Sequence, residues 1–213
     1  MKLRLIISSI LSLTLFFGCQ QDNNDENLNN PTNFIVKEDS VSNDGLRISL
    51  DEPCITVDLI AGQNEVVGTV TIDRNDTHLI LTYTTFGDWE IDLTHMSIGD
   101  CNEEWVPETG SGNPKIGHFE HSEPHSLDTN QVIYYVNLEI LPDYTDLYCF
   151  AAHAEVSSPN GGETAWAGRI GGQESGSNSE EYIVKNFEGN SWAMYIEASQ
   201  SSCDVVDVET PLE

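Results

Sequence analysis

The chain has few basic residues, and this shortage excludes a class of partners. Among 213 residues there are 8 Lys and Arg against 36 Asp and Glu, so the formal net charge is −28 at pH 7. Nucleic acids and anionic membrane surfaces carry negative charge themselves and would be repelled. We therefore expect no nucleic-acid partner. A cationic partner, a divalent cation or a solvated acidic surface remains compatible with this composition.

Long apolar runs are missing after the first twenty residues. The one run, LIISSILSLTLFFG at residues 5–18, follows Lys2 and Arg4 and is too short to span a bilayer, which takes about 20 apolar residues. A positive start, a short apolar run and the small residue Gly18 predict a signal peptide over residues 1–18. The next residue, Cys19, resembles the acylated cysteine of bacterial lipoproteins. The alternative is ordinary secretion with Cys19 left in the mature chain.

Apolar residues are also scarce directly after Cys19. Residues 20–33 read QQDNNDENLNNPTN, and such a segment buries too little surface to offset its ordering entropy. We therefore expect residues 19–44 to form a disordered, acidic, Asn-rich tether. An acidic stretch after the lipid cysteine also resembles an export signal of some Gram-negative bacteria. It predicts a lipid anchor in the outer membrane with the protein on the extracellular face.

No sustained helical period occurs in the remaining chain. Apolar residues instead alternate with period two, as in Ile55, Val57 and Leu59 or Val132, Tyr134 and Val136. The pattern predicts an all-β domain over residues 45–203, an antiparallel β-sandwich with two long loops at 99–130 and 157–190. A change of parity predicts a β-bulge near residues 94–95. Residues 204–213 are expected to form an acidic tail.

The cysteines lack C-x-x-C spacing, which argues against a redox motif or a thiolate zinc site. In an exported chain, the even set Cys54, Cys101, Cys149 and Cys203 predicts two disulfides that brace the domain. If the strands follow one another as tight hairpins, residues 54 and 101 lie at the same end of the sandwich. The same reasoning applies to residues 149 and 203. The predicted pairs are therefore Cys54–Cys101 and Cys149–Cys203.

Three histidines in the first long loop are candidate metal ligands. His118, His121 and His125 lie within eight residues, together with two carboxylates, and could bind Zn²⁺ or Cu²⁺. Their spacing matches no known zinc signature, and Pro124 argues against a helix that would present them on one face. A hydrated polar loop is the alternative, and no cofactor is predicted.

Other candidate residues are isolated. His153 could serve as a general base, but no Gly-x-Ser-x-Gly motif accompanies it, so a hydrogen-bonded structural histidine is the competing interpretation. The same two interpretations apply to His95. Trp105 lies in a loop near carboxylates, where an indole could stack on a sugar ring or fold back onto the core. Trp89, Trp166 and Trp192 fall on core positions of the strand pattern.

Several short motifs between residues 67 and 168 resemble a secreted bacterial all-β family. They include GTVTI (68–72), THMSIG (94–99), GNPKIGHF (112–119) and ETAWA (163–167). The family has no assigned activity, so the resemblance implies one extracellular β-domain and no reaction. His118 and Glu120 stand where the family would have Gln and Pro.

These features favour a non-catalytic function. The leading hypothesis is a cell-envelope lipoprotein, exposed at the surface, whose β-sandwich binds a glycan or a cationic protein. One alternative is a metal-assisted hydrolase that uses the His118, His121 and His125 loop. The other is a structural envelope component without a small ligand.

Overall fold

The computed structural model describes residues 34–39, 53–143, 146–172 and 182–204. The predicted signal peptide, Cys19 and nearly all of the predicted tail lie outside the described residues. Within them are eleven strands: β1 (Phe34–Asp39), β2 (Ile55–Ala61), β3 (Glu65–Arg74), β4 (His78–Thr85), β5 (Glu90–Asp100), β6 (His121–Pro124), β7 (Gln131–Asn137), β8 (Leu147–Ser158), β9 (Gly161–Gly168), β10 (Tyr182–Asn186) and β11 (Met194–Ser199). Three single-turn 3₁₀ helices complete the described elements, at Ile116–His118, Leu138–Ile140 and Gln200–Ser202.

The strands form one antiparallel sheet, and the predicted fold class is confirmed. The sheet runs in the order β1-β7-β4-β3-β2-β9-β8, and strand β8 then pairs with β5 along one edge and with β11 on the other. Strand β6 extends the sheet beyond β5, and β10 extends it beyond β11. Buried and partly exposed positions alternate along β4 and β11, because one face of each strand meets the core.

The sheet curls so that its two halves face each other across the core. The Tyr83 hydroxyl on β4 donates a hydrogen bond to the carbonyl oxygen of His95 on β5, at 3.3 Å. The hydroxyls of Thr94 on β5 and Tyr134 on β7 lie 2.5 Å apart. The largest side chains between the halves are fully buried, among them Leu59, Leu79, Leu81, Tyr148 and Phe150.

Apolar side chains also cover the opposite face of β5, β8 and β9, and they are continuous with the rest of the core. The segment between β5 and β6 folds back over this face, and the Phe119 ring contacts the Trp166 ring at a centroid distance of 6.3 Å. Phe187, which follows β10, stacks on Trp105 and meets Trp166 edge-on. The first predicted long loop is therefore a packed cover, and it contains the short strand β6.

The predicted second long loop, residues 157–190, is wrong. It contains β9 and β10, and β9 joins the two halves of the sheet by pairing with both β2 and β8. Residues 165–168 of β9 are buried on both faces of the sheet, so no polar residue alternates with apolar ones. A strand covered on both faces loses the period-two signal.

The predicted tether also extends too far. Residues 34–39 form β1, which pairs with β7 over six residues, from Phe34 opposite Val136 to Asp39 opposite Gln131. The folded unit therefore begins well before residue 45. The signal was present in Phe34, Ile35 and Val36, whose short apolar run follows the Asn-rich stretch directly.

The bulge in β5 lies slightly before its predicted position. Ile91 pairs with Val156 and Leu93 with Glu155, so the extra residue is Asp92 rather than residue 94 or 95. Residues 94–98 are then buried without interruption. Their burial on both faces hides the point at which the parity changes.

The predicted disulfide pairs are wrong. The bonds are Cys54–Cys203 and Cys101–Cys149, with Cα–Cα distances of 5.3 and 5.0 Å. The prediction assumed that β5 stays beside the strands that precede it. Strand β5 instead pairs with β8, and the partner of Gly99 is Cys149, so residue 101 emerges next to residue 149.

Candidate functional site

A cleft of about 470 Å³ opens between the β4–β5 loop and the β8–β9 turn. This volume lies within the range of small-ligand sites. Three separate stretches of chain build the walls: residue 65 at the start of β3, residues 86–89, and residues 158–163. The lining includes Glu65, Phe86, Asp88, Trp89, Asn160 and Glu163.

Backbone hydrogen bonds fix the aromatic wall of this cleft. The Phe86 N–H donates to the Val67 carbonyl at 2.8 Å, and the Trp89 N–H donates to the Phe86 carbonyl at 3.2 Å. Thr85 adds a side-chain bond from its hydroxyl to the Trp89 carbonyl, at 2.6 Å. Gly87 at φ +62° permits the tight turn between the two aromatic residues. Hydrogen bonds thus fix the backbone of both aromatic residues.

The opposite wall is a glycine-rich turn. The Ser158 hydroxyl donates to the Gly161 carbonyl at 3.4 Å and accepts from the Asn160 N–H at 3.3 Å. Gly161 has φ +134°, a conformation that an L side chain rarely adopts. The turn keeps backbone groups and the Asn160 amide at the edge of the cleft, where they can bond a polar ligand.

The chemistry of the lining selects against anions. Phe86 is 46 % exposed, an unusual fraction for a large aromatic side chain, and Trp89 is half-buried rather than part of the deep core as predicted. Three carboxylates, those of Glu65, Asp88 and Glu163, share the lining, and none of the described lining residues is basic. Aromatic faces with hydrogen-bond acceptors suit a hydroxylated or cationic ligand.

A second, smaller cleft of about 350 Å³ lies at another part of the surface. It is lined by Asn64, Arg169, Asn186, Trp192 and Met194, among others. Its amide and guanidinium groups are polar, but it lacks an aromatic side chain as exposed as Phe86. Trp192 is half-buried there and packs against the core.

The three predicted metal ligands have different surroundings. His118 is exposed in a 3₁₀ turn. His121 packs its ring against Phe34, at a centroid distance of 3.6 Å, and against Tyr134. Burial lowers the pKa of His121 to about 4. The structure does not bring these imidazoles to one point: the one described group of three potential ligands within mutual reach is Cys101, Cys149 and Glu197. The two cysteines of that group form a disulfide.

His125 belongs to a hydrogen-bonded chain that sequence reasoning missed. Its Nδ1–H donates to Glu38 on β1 at 2.9 Å, and its Nε2 lies 2.6 Å from the Thr94 hydroxyl, which in turn contacts Tyr134. The hydrogen bond from His125 lowers the pKa of Glu38 below its usual value. We name Glu38, His125, Thr94 and Tyr134 the β1 clasp.

The β1 clasp has the residue order of a hydrolase triad, namely carboxylate, imidazole and hydroxyl. Its hydroxyl, however, is inaccessible, because Thr94 is 0 % exposed and lines neither of the two clefts described above. A nucleophile must reach its substrate. The arrangement therefore serves to hold β1 and the end of β6 against β5.

The histidines at 95 and 153 face each other. They occupy directly opposite positions on β5 and β8, and their Nδ1 atoms lie 3.3 Å apart. Burial and the neighbouring His95 lower the pKa of His153 to about 3, and burial also lowers the pKa of His95. Trp166 flanks the pair, with its ring centroid 4.8 Å from that of His153. Sequence reasoning treated the two residues separately.

Trp105 packs inward. Its ring contacts Tyr195 at a centroid distance of 5.4 Å and Phe187 at 6.2 Å, and its carbonyl accepts a hydrogen bond from Ser97. It is partly buried against the core. This placement agrees with the interpretation in which the indole covers the core.

Comparisons with known protein families, with curated proteins and with solved structures found no match for this chain. Within the described part of the chain, no helix is long and apolar enough to cross a membrane.

Proposed function

We propose that this protein is a surface lipoprotein whose β-domain binds a glycan without catalysing a reaction. The observation that carries the proposal is the pairing of exposed Phe86 and half-buried Trp89 with three carboxylates in one cleft. A sugar presents an apolar ring face and a rim of hydroxyl groups. The aromatic rings can stack on that face while carboxylates and backbone groups bond the hydroxyls.

The charge of the cleft defines the glycan class. Glu65, Asp88 and Glu163 accept hydrogen bonds and repel anions, so the ligand should be neutral or carry amino groups. Sulfated and uronic-acid-rich glycans should bind poorly. A cationic protein would be attracted by the same carboxylates but would gain little from an aromatic platform.

The location of the protein is a further part of the proposal. A signal peptide over residues 1–18, an acylated Cys19 and the acidic stretch behind it support a lipid anchor in the outer membrane with the domain outside the cell. With six basic and 36 acidic residues after residue 18, the mature chain has a formal charge of −30. Repulsion from anionic envelope polymers leaves neutral or cationic glycans as accessible ligands. The resemblance to a secreted all-β family without assigned activity fits the same proposal.

The proposal is tested by screening the full-length protein, purified in detergent, against a glycan array and titrating the best ligand. We expect Phe86→Ala to weaken binding about tenfold, equivalent to roughly 1.4 kcal/mol. Leu127→Ala is the matched control, because Leu127 is 88 % exposed and lies outside the cleft. The control should bind as the unchanged protein does.

Two results would overturn the glycan proposal. One is a ligand whose affinity does not change in Phe86→Ala. The other is binding confined to cationic peptides with a steep salt dependence, since that would indicate a purely electrostatic surface.

A further inference from the structure

The two histidines on the covered face of the sheet form a pair with an unusual geometry. His95 and His153 are cross-strand partners, 6 % and 2 % exposed, and their Nδ1 atoms are 3.3 Å apart. They lie on the face of β5 opposite to Thr94, beneath the segment that carries Phe119. Neither histidine lines the cleft between the β4–β5 loop and the β8–β9 turn, which is the proposed glycan site.

The distance between the two nitrogens matches the requirement of a metal ion. Nitrogen ligands lie about 2.0–2.1 Å from zinc, and a tetrahedral angle between two such bonds separates the nitrogens by about 3.3 Å. We propose that His95 and His153 bind one divalent transition-metal ion of the zinc class through their Nδ1 atoms, with Glu155 as the carboxylate ligand. In the structure the two Nδ1 atoms share a hydrogen bond, so the ion takes the place of the proton that one of them donates.

Glu155 is the nearest carboxylate on the same strand and face. It follows His153 by two residues on β8, is exposed, and pairs with Leu93, diagonally across from His95. Diagonal neighbours in an antiparallel pair are within reach of long side chains. Among the described residues, no third potential ligand lies close to both Nδ1 atoms in this structure. The proposal therefore requires the Glu155 side chain to turn inward when the ion binds.

A second observation shows that the pair is not optimised for stability. The Nε2 atom of His153 is buried and has no hydrogen-bond partner. An orphaned buried polar atom costs free energy, and an ion at Nδ1 would not satisfy Nε2, so the ring is kept for what its Nδ1 atom does and not for stability. A Phe or Leu beside Trp166 would pack without that cost.

The ligand set also defines which cation binds. Imidazole nitrogens suit Zn²⁺, Cu²⁺ and Ni²⁺, whereas Ca²⁺ and Mg²⁺ take oxygen ligands. Carboxylates on the acidic surface of the chain can bind such hard cations weakly, through oxygen ligands alone. Excess Mg²⁺ should therefore compete for the surface carboxylates and leave the histidine pair free for zinc.

The test is a calorimetric titration of full-length, chelator-stripped protein with ZnCl₂, in physiological salt with excess Mg²⁺. We expect one zinc ion per chain, and we expect His95→Asn to weaken this binding about tenfold or more. Glu155→Gln should weaken it less. His118→Asn is the matched control, because His118 is exposed in its 3₁₀ turn and belongs to no described group of three potential ligands within mutual reach, and this variant should bind zinc normally.

Trp166 supplies an independent readout. Cu²⁺ bound at the pair should quench the part of the tryptophan fluorescence that Trp166 contributes, one of four tryptophans, in the unchanged protein and in His118→Asn, but not in His95→Asn. If His95→Asn fails to fold, Glu155→Gln decides the matter, because Glu155 is exposed and the change should not affect folding. Absence of saturable zinc binding, or normal binding in His95→Asn, would overturn the inference without affecting the glycan proposal.

Discussion

The hydroxyl of Thr94 lies at the centre of the β1 clasp, between the core and the surface. It contacts the Tyr134 hydroxyl on one side and the His125 ring on the other, and His125 continues to Glu38. Each partner is buried and polar, so each depends on this one hydroxyl. Replacing the Thr94 hydroxyl by a methyl group would thus leave the Tyr134 hydroxyl and the His125 Nε2 atom without this partner.

We predict that Thr94→Val destabilises the protein by about 2 kcal/mol, since unsatisfied buried groups cost roughly 1–3 kcal/mol each. Valine has the same shape, so the loss reports hydrogen bonding rather than packing. The measurement is urea unfolding at neutral pH. Thr164→Val is the control, because Thr164 is exposed on β9 and should change stability by less than about 0.5 kcal/mol. Equal effects of the two variants would contradict the importance of the clasp.

At the scale of elements, strand order decides which parts of the chain meet. Cys54 precedes β2 and Cys203 follows β11, so their bond closes a loop that contains nearly the whole domain. Cys101 and Cys149 join the ends of the neighbouring strands β5 and β8, with a sequence separation of 48 against 149 for the first bond. Constraint of the unfolded chain grows with the length of the closed loop.

We predict that the double variant Cys54→Ala/Cys203→Ala loses about 4–5 kcal/mol of unfolding free energy, somewhat more than Cys101→Ala/Cys149→Ala. Urea unfolding of the two double variants provides the comparison, and each serves as the control for the other. Non-reducing peptide mapping checks the pairing itself. A peptide that joins residues 54 and 101 would show that the strand order described above is wrong.

The sequence predicts those strands whose environment differs between their two faces. Strands β2, β4, β7 and β11 bury one face and alternate accordingly, so their pattern is visible. Strand β9 was missed because its second half is buried on both faces, and β1 because six residues after a polar stretch give a short signal. The disulfide pairs were missed because β5 pairs with β8, which lies far along the chain.

The candidate sites were harder to predict than the strands. The cleft joins residues 65, 86–89 and 158–163, which share no motif, and only the curl of the sheet brings them together. The sequence offers His95 and His153 as separate candidates, because their pairing depends on the register of β5 against β8. The spacing of His118, His121 and His125 is a local pattern that suggests a metal site, but the fold gives these side chains separate surroundings.

For the whole molecule, the balance of buried titratable groups sets how stability varies with pH. Burial lowers the pKa of His121 to about 4 and, together with His95, that of His153 to about 3, from 6.5. The unfolded chain therefore binds protons at these residues below pH 6.5 while the folded chain does not. Burial raises the pKa of Asp73, Glu108 and Glu120. These carboxyl groups have the opposite effect on the pH dependence of stability, but they act in the more acidic range where carboxylates titrate.

We predict that stability is greatest above about pH 6.5 and falls as the pH is lowered towards about pH 5, where most carboxylates are still ionised. One to two protons taken up on unfolding give a slope of about 1.4–2.7 kcal/mol per pH unit. Urea unfolding across this window measures it. His121→Phe, whose ring can still pack against Phe34, should reduce the slope by the contribution of up to one proton, about 1.4 kcal/mol per pH unit. His118→Ala should leave the slope unchanged, because His118 is exposed. A flat profile in the unchanged protein would mean that His121 and His153 accept protons in the folded state, and hence that water reaches the two rings.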